Sequence, residues 1–407
     1  MTGRERHRLS GVAQIFPGEN RLSDESLNRF VTEKLADLEK RDLRRTLRAT
    51  GRAHGASVRR GQHELVSFAC NDYLNLSQHP EVIAASCAAT RALGAGAGAS
   101  RHVTGNHALY APLEQSLASL KGTEDAIVFG SGYLANIGVI PALVGPQDLI
   151  VMDELCHSCL FAGAKLAGSR IIEFAHNDAA AAEDLLARHR AQHRFSLVLT
   201  EGVFSMDGDR APLAELLASA RRHDAWLMSD DAHGLGVVGE GRGSGTVAGQ
   251  PLDIPLQMGT LSKAVGTYGG YLCASRAVAE LIRNRARSLI YTTGLPPGVI
   301  AAATKALEII ATDKALVARP LAAARHFAAI RGMPEPQSPI VPILLGTPTR
   351  ALDASAALEE LGFLVVAIRP PTVPEGTARL RCAFSSAHSQ DDIEGLAGAL
   401  SKVLASL

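Results

Sequence analysis

The sequence predicts an α/β fold: a large, mostly parallel seven-stranded sheet domain followed by a smaller α+β C-terminal domain. Three observations predict it. Between residues 126 and 274, short apolar runs alternate with Ala/Leu-rich helical segments, the pattern of parallel strands joined by crossover helices. After about residue 295 the texture changes to a long Ala-rich helical stretch followed by further strands. The chain has 407 residues, 46% of them hydrophobic, enough for two packed domains. The expected divisions are an N-terminal extension and helix (1–65), a large domain (66–295) and a small domain (296–407).

Residues 1–30 are polar and unpatterned and read as a mobile extension. Met1 to Leu9 is Arg-rich without an apolar core, so it is not a secretory signal. Val31, Leu35, Leu38, Leu43 and Leu47 follow helical spacing. Arg41, Arg44, Arg45 and Arg48 beside them form a solvated helix face, or one of them reaches an anionic substrate. A strand is expected over 66–69, then a turn at Asn71-Asp72 and a helix with Pro80 in its first turn. The glycine-rich run from Gly94 to Arg101 is a flexible loop without the Gly-Lys-Ser/Thr ending of a nucleotide loop.

The seven expected strands are 127–129, 149–152, 171–174, 197–200, 226–229, 256–259 and 271–274, with helices such as 179–191 and 212–223 between them. Residues 126–147 carry no charge, yet Gly130, Gly132, Asn136, Pro141 and Gly145 fit a strand, a turn and a helix better than a membrane span. No membrane association is expected, and a cytoplasmic location is expected with it. Pro296-Pro297 opens a helical stretch, 299 to about 331, which Pro320 is expected to divide. Strands follow at 341–345, 364–368 and 380–384. A closing helix starts at Ser389, with Ile393, Leu396, Leu400, Val403 and Leu404 on one stripe.

Composition excludes some functions. Lys+Arg and Asp+Glu both number 41 and aromatic content is 4%, which argues against nucleic acid. The six cysteines show no repeated paired spacing, so no disulfide framework is expected.

Lys263 stands out, set among hydroxyl and small residues in Met258-Gly-Thr260-Leu-Ser-Lys-Ala-Val-Gly-Thr-Tyr-Gly-Gly270. A lysine in a low-polarity site loses its proton readily and forms a Schiff base with a carbonyl. Either Lys263 carries pyridoxal phosphate or it is an ordinary helix-terminal lysine. Gly130-Ser-Gly132-Tyr133, between strand and helix, is a plain turn or a phosphate site made of backbone N–H groups. Asp230-Asp231-Ala-His233 ends an apolar strand. A carboxylate there would keep a pyridine nitrogen protonated and the ring an electron sink, and His233 could reach the ring's phenolic oxygen.

Gly234-Leu-Gly-Val-Val-Gly239 mimics a dinucleotide fingerprint, but the glycine-rich run after it is no helix, so that reading fails. Cys156-His157-Ser-Cys159 lacks a second ligand pair, so no metal is expected. His157 is instead expected to stack on a flat ring, with both thiols as small core residues. Arg369-Pro-Pro-Thr372-Val-Pro374 with Arg379 and Arg381 is a rigid surface turn or a grip on a carboxylate through two parallel bonds.

With these residues in view, the chain resembles the α-oxoamine synthases, pyridoxal-phosphate enzymes of the aspartate-aminotransferase-like fold type I, and among them the biotin-pathway members. The matching stretches are Asn71-Asp-Tyr-Leu, Phe174-Ala-His-Asn-Asp178, Thr200-Glu-Gly-Val-Phe-Ser-Met-Asp-Gly-Asp209, Asp230-Asp-Ala-His-Gly234, Ile290-Tyr-Thr-Thr and Ala367-Ile-Arg-Pro-Pro-Thr-Val-Pro374, within roughly residues 32–400. The resemblance implies that Lys263 holds the cofactor and moves the α-proton of L-alanine, while Asp230 holds the pyridine nitrogen. It implies that His233 and Ser205 reach the ring oxygen and that His157 stacks on the ring. Thr260 and the Gly132 and Tyr133 backbone would hold the phosphate, with Thr292 or Thr293 of a second subunit. Arg48 and Thr372 would contact substrate, and Arg381 the amino-acid carboxylate.

The implied reaction is decarboxylative condensation of L-alanine with a pimeloyl thioester, carried on coenzyme A or an acyl-carrier protein, in a homodimer with its active site at the subunit interface. A glycine-using sister synthase and a non-catalytic cofactor-binding protein are the rivals. Two departures stand out. Asn75 replaces the family's usual glycine, and Asn tolerates left-handed backbone. Arg101 stands where some biotin-pathway members have a small residue, which leaves acyl-chain choice open.

Overall fold

The computed structural model describes residues 21–407, with side chains described from residue 25. The reading of Met1 to Leu9 lies outside the described residues. The described residues divide into two compact units, the first ending at Arg48 and the second spanning Ala49–Leu407.

In the first unit a helix spans Arg21–Lys40, starting earlier than the sequence suggests and ending before Leu43 and Leu47. Asp42 is the reason: at φ 54° it turns left-handed, and the N–H groups of Asp42 and Leu43 bond back to the carbonyls of Glu39 and Leu38. That pair of bonds closes a helix C-terminus, so the apolar spacing beyond it has no helix to serve. Arg41 and Arg44 pair with Asp37 and Glu39 of the same unit.

The second unit is built on a seven-stranded sheet. In chain order its strands are β1 (Asp125–Phe129), β2 (Leu149–Asp153), β3 (Arg170–Phe174), β4 (Ser196–Glu201), β5 (Trp226–Asp230), β6 (Leu256–Thr260) and β7 (Gly270–Ala274). Their spatial order is β1-β7-β6-β5-β4-β2-β3. Only β7 runs antiparallel to its neighbours. Each strand is an apolar run because helices cover both faces. Phe129, Ile140, Leu160, Met228, Met258, Leu272 and Ile282 fill one side, and Val151, Leu186, Val198, Leu216 and Leu227 line another. The parallel register sets Glu201 and Met258 level with Asp230, so the carboxyl ends of β4, β5 and β6 lie side by side. Ligands of open parallel sheets bind beyond such ends.

A three-stranded antiparallel sheet, Ile340–Gly346, Ala378–Ala383 and Val366–Ile368, lies in the C-terminal part. Residues Lys314–Ile330, Pro348–Glu360 and Gln390–Ser406 are helical there. Phe68, Phe327, Leu380, Phe384 and Leu396 share its core. The last helix has a full capping box: Ser389 Oγ accepts from Asp392 N, and Asp392 Oδ2 accepts from Ser389 N.

Two expectations about elements change. The helical stretch breaks at Asp313, whose carboxylate caps the second helix at Leu316 N, and not at Pro320. Pro320 removes one bond, to the Leu316 carbonyl, and the buried face of Val317, Ala324, Phe327 and Ala328 holds the helix across that loss. The strand expected at 364–368 is two strands in different sheets. Phe363–Leu364 pairs in parallel with His63–Ser67, and Val366–Ile368 pairs with Ala378–Ala383. The short strands Gly51–Arg52 and Ser57–Arg60 complete the first of these sheets and give no clear apolar pattern. Among the described residues, no helix is long and apolar enough to cross a membrane.

Candidate functional site

The site is assembled from loops that leave the aligned ends of β2, β4, β5 and β6. Three residues past β6, Lys263 Nζ meets His233 Nε2 at 2.7 Å. The loop carrying Lys263 turns back through Gly266, at φ 72°. A Cβ on Gly266 would come within 2.4 Å of Ser77 N, so a larger residue would push the lysine loop off the 71–78 turn. That turn is held by Asp72, which accepts from Leu76 N and Ser77 N, and by Arg52, which reaches Asp72, Asn75 and Ser77. Asn75 takes the left-handed backbone expected of it, φ 53°.

Asp230, the last residue of β5, is buried, and both of its oxygens are committed. Oδ2 accepts from Asn136 Nδ2 at 2.8 Å and Oδ1 from Ala232 N at 3.0 Å. Its neighbour Asp231 serves the core instead, in a buried ion pair with Lys121 at 2.8 Å and as acceptor from Ser244 N. Adjacent aspartates therefore do different work, because successive side chains of a strand face opposite ways.

Glu201, at the end of β4, is buried and accepts from His157 N at 2.6 Å and Ser205 N at 3.3 Å. It joins the segment carrying His157 to the segment carrying Ser205. The His157 ring is exposed and caps the helix Ser158–Ala167, accepting from Cys159 N at 3.2 Å. Cys159 Sγ is held by Asn136, and Cys156 Sγ is directed at the Leu199 carbonyl.

Gly132 and Tyr133 open the helix Gly132–Leu143. A helix leaves its first N–H groups outside its own ladder. Ser131 Oγ takes the one at Leu134, and those of Gly132 and Tyr133 precede it. A Cβ on Gly132 would meet Met258 Cε at 3.2 Å and Thr260 Cβ at 3.4 Å. Thr260 Oγ1 donates to the Gly269 carbonyl and lies 2.8 Å from Ser262 Oγ. Thr292 and Thr293 lie in the same chain beside Gly130 and Arg101, with Thr293 bridged to Ser100.

Arg381 is buried, and its described hydrogen bonds go to neutral atoms: Ser205 O at 2.5 Å, Asn71 Oδ1 at 3.0 Å and Tyr73 Oη at 3.1 Å. Arg379, two residues earlier on the same strand, is instead ion-paired with Asp207. Thr372 lies in the turn after Pro371, its N–H bonded to the Arg369 carbonyl at 3.1 Å. Arg48 ends the first compact unit. Arg101 is not the member of a flexible loop that the sequence suggests. It stacks over Tyr110 at 3.8 Å and donates to Glu114, Asn106 and the Val128 carbonyl.

Electrostatics follow from burial. Burial lowers the Lys263 pKa, against the opposing charges of Asp230 and Glu201. Burial, with Lys263, Arg381 and His157 nearby, holds His233 well below its ordinary value. Burial and the Asp230 charge push Glu201 up to about 8. Burial and Asp230 likewise push the Cys159 thiol up to about 12, which makes it a poor nucleophile.

A second charged cluster anchors the Ser205 loop. His176 bonds Asp153 at 3.0 Å and Asp209 at 2.8 Å, and its ring meets Phe204 edge-on at 4.4 Å. Burial opposes the His176 charge, but the two aspartates outweigh it and raise the group to about 10. A raised folded-state pKa stabilises in full below the unfolded value, near 6.5, and that stabilisation disappears as pH rises through about 10. We expect His176→Gln to narrow its stability gap to the unsubstituted protein over that interval, read by denaturant unfolding at a series of pH values. A gap independent of pH would refute the assignment.

Sequence reasoning gave no role to Asn71, Tyr73, Asn136 or Glu201. Tyr73 and Asn71 sit in a stretch that carries the family resemblance, which was the available signal; Glu201 ends an apolar strand, as Asp230 does.

The site lies at the carboxyl ends of a mostly parallel sheet, with a buried acid, a half-buried lysine and a helix N-terminus facing a common region. Residues 63–400 match the family described as Aminotransferase class I and II, and the chain belongs to that family. Within it, the chain is similar to the 8-amino-7-oxononanoate synthase of Methylocella silvestris, with 60% identity over 347 residues, 85% of this chain and 99% of that one. The corresponding synthase of Maricaulis maris is 57% identical over 380 residues, 93% of this chain and 97% of that one. A solved structure of serine palmitoyltransferase (SPT) with PLP aligns at a TM-score of 0.86 and 30% identity, covering 95% of this chain and 99% of that one. The architecture is that of fold type I enzymes, and the family branch is that of the α-oxoamine synthases.

Proposed function

We propose that this chain is an α-oxoamine synthase that uses pyridoxal 5'-phosphate to condense L-alanine with a pimeloyl thioester, releasing carbon dioxide and the thiol and giving 8-amino-7-oxononanoate for biotin synthesis. The observation that carries it is the pairing of a desolvated lysine, Lys263, with His233 beside the buried Asp230 carboxylate.

The residues present fit the cofactor. A Cβ on Gly132 would crowd Met258 and Thr260, so the glycine lets the helix entrance, whose free N–H groups suit a phosphate, lie close to the Thr260 hydroxyl. The donor set is complete: an amine, a buried acid, an exposed imidazole face, hydroxyls and unladdered N–H groups. When bound, pyridoxal phosphate supplies an electron sink for a carbanion at the amino acid's Cα. Lys263 Nζ would be its attachment point and the base for the α-proton. Asp230 keeps the ring nitrogen protonated, and Asn136 and Ala232 N hold that carboxylate in place. His157 would pack against the ring, and His233 and Ser205 would address its oxygen. Gly132 N, Tyr133 N and Thr260 would hold the phosphate, joined by Thr292 or Thr293 of the partner subunit in a homodimer.

Arg381 pairs with the alanine carboxylate, a charge its neutral neighbours leave it free to match. Arg48 and Thr372 contact the acyl substrate, delivered by coenzyme A or by an acyl-carrier protein. We read 66–295 as the cofactor-binding domain, 296–407 as the small domain and 1–65 as the N-terminal extension, in a cytoplasmic enzyme.

The test is mass analysis of the products from L-alanine and pimeloyl thioester, with a panel of other amino acids and acyl thioesters. The expected product is 8-amino-7-oxononanoate. A preference for glycine would assign a sister synthase, and cofactor binding without thiol release would assign a non-catalytic binder.

A further inference from the structure

Four side chains from separate segments form one hydrogen-bonded file. Arg381 Nη2 meets Tyr73 Oη at 3.1 Å, Tyr73 Oη meets His233 Nδ1 at 2.7 Å, and His233 Nε2 meets Lys263 Nζ at 2.7 Å. Tyr73 and His233 are both buried. Donor chemistry fixes the direction of this file. A guanidinium only donates, so Tyr73 Oη accepts from Arg381, and the single phenol proton goes to another acceptor. Two are within reach: His233 Nδ1 at 2.7 Å and Asn71 Oδ1 at 3.4 Å. The second distance is at the far edge of hydrogen-bonding range. Asn71 Oδ1 also already accepts from Arg381 Nη1 at 3.0 Å.

We propose that Tyr73 is a positioning residue: it donates to His233 Nδ1 and thereby fixes the neutral Nε2–H tautomer, which aims one proton at the lone pair of Lys263 Nζ. With the cofactor attached to Lys263, a step that rests on the function proposed above, the same Nε2–H is the donor available to the ring oxygen. Burial and the surrounding cationic groups keep His233 neutral, so its one proton must choose between two nitrogens, and the tautomer is a real variable. Without the Tyr73 hydroxyl, nothing in the file holds that proton on Nε2. The imidazole can then protonate at Nδ1 and turn a bare nitrogen toward Lys263, which withdraws the donor without moving the ring. The arrangement also links the arginine proposed to bind the substrate carboxylate to the lysine amine through two intermediate groups.

Nitrogen NMR of the full-length, cofactor-loaded protein, labelled with 15N at histidine, reads the tautomer directly. The His233 signals are assigned by their loss in His233→Asn. The expected result is an unprotonated, hydrogen-bonded Nδ1 and a protonated Nε2. In Tyr73→Phe the Nδ1 signal moves toward the protonated position, wholly or as an average. A protonated Nδ1 in the unsubstituted protein overturns the proposal, and so does a Tyr73→Phe spectrum identical to it in a variant with unchanged melting. The unsubstituted protein decides the question even if Tyr73→Phe does not fold. The visible band of the lysine-bound cofactor, recorded on the same samples, tests the functional reading separately: its absence from the unsubstituted protein would remove that reading while the nitrogen signals still assign the tautomer.

Discussion

Replacing Lys263 with alanine is expected to lower turnover by about four orders of magnitude, the upper end of what one positioned acid–base group contributes. The variant should also lose the visible absorbance of the lysine-bound cofactor. Two losses coincide, because the proposed function assigns one amine both the attachment of the cofactor and the movement of the α-proton. The amine can serve because burial lowers its pKa, while Asp230 and Glu201 limit that shift. The alanine variant should stay folded. Its neighbours Leu261, Ala264 and Val265 keep their core contacts, and the backbone bond from Gly266 N to the residue 263 carbonyl uses no side chain. Far-UV circular dichroism and steady-state kinetics check the two halves. Full activity in a variant shown by mass to carry alanine would remove the assignment.

Asp230→Asn is expected to reduce turnover by about three orders of magnitude, in line with the loss of one preorganised electrostatic group. The amide cannot hold a pyridine nitrogen in its protonated form. It is also mismatched to its surroundings. Both carboxylate oxygens accept hydrogen bonds, from Asn136 Nδ2 and from Ala232 N. An amide offers one oxygen and one donor, so one of those contacts becomes donor against donor. A second readout is independent of turnover. Burial first, and then the Asp230 charge, hold Glu201 up at about 8. Removing that charge should bring Glu201 down, and carboxylate titration by infrared spectroscopy would show it. Unchanged Glu201 titration in Asp230→Asn would mean that the two acids do not interact.

Much of the sheet was legible in the sequence, because strands buried on both faces read as apolar runs and end at polar residues. The left-handed turn at Asn75 was legible too, since few residues accept that backbone. Other features were not. Arg379 and Arg381 lie two apart and so share a strand face, and only the ion pair with Asp207, far away in sequence, separates one from the other. The partners of the site residues are equally remote. Asn136 reaches Asp230 and Tyr73 reaches His233 across the fold, so no local spacing announces them. Pro320 looked like a helix break because the rule is local, whereas the face that holds the helix together is tertiary. Arg101 read as part of a flexible loop because its anchors, Glu114 and Tyr110, lie on the next helix.

The small sheet that joins His63–Ser67 to Phe363–Leu364 has a bearing on how the protein is made. Its edge pairing, between His63–Ser67 and Phe363–Leu364, closes a span of about three hundred residues, so the entropy of bringing the ends together falls late in synthesis. Until the ribosome has released the segment around 363, the early strand has one open edge and Phe68 lacks its aromatic neighbours Phe363 and Phe384. Nascent chains arrested before that point should therefore be more readily bound by chaperones, and more readily cut near residue 65, than chains arrested after it.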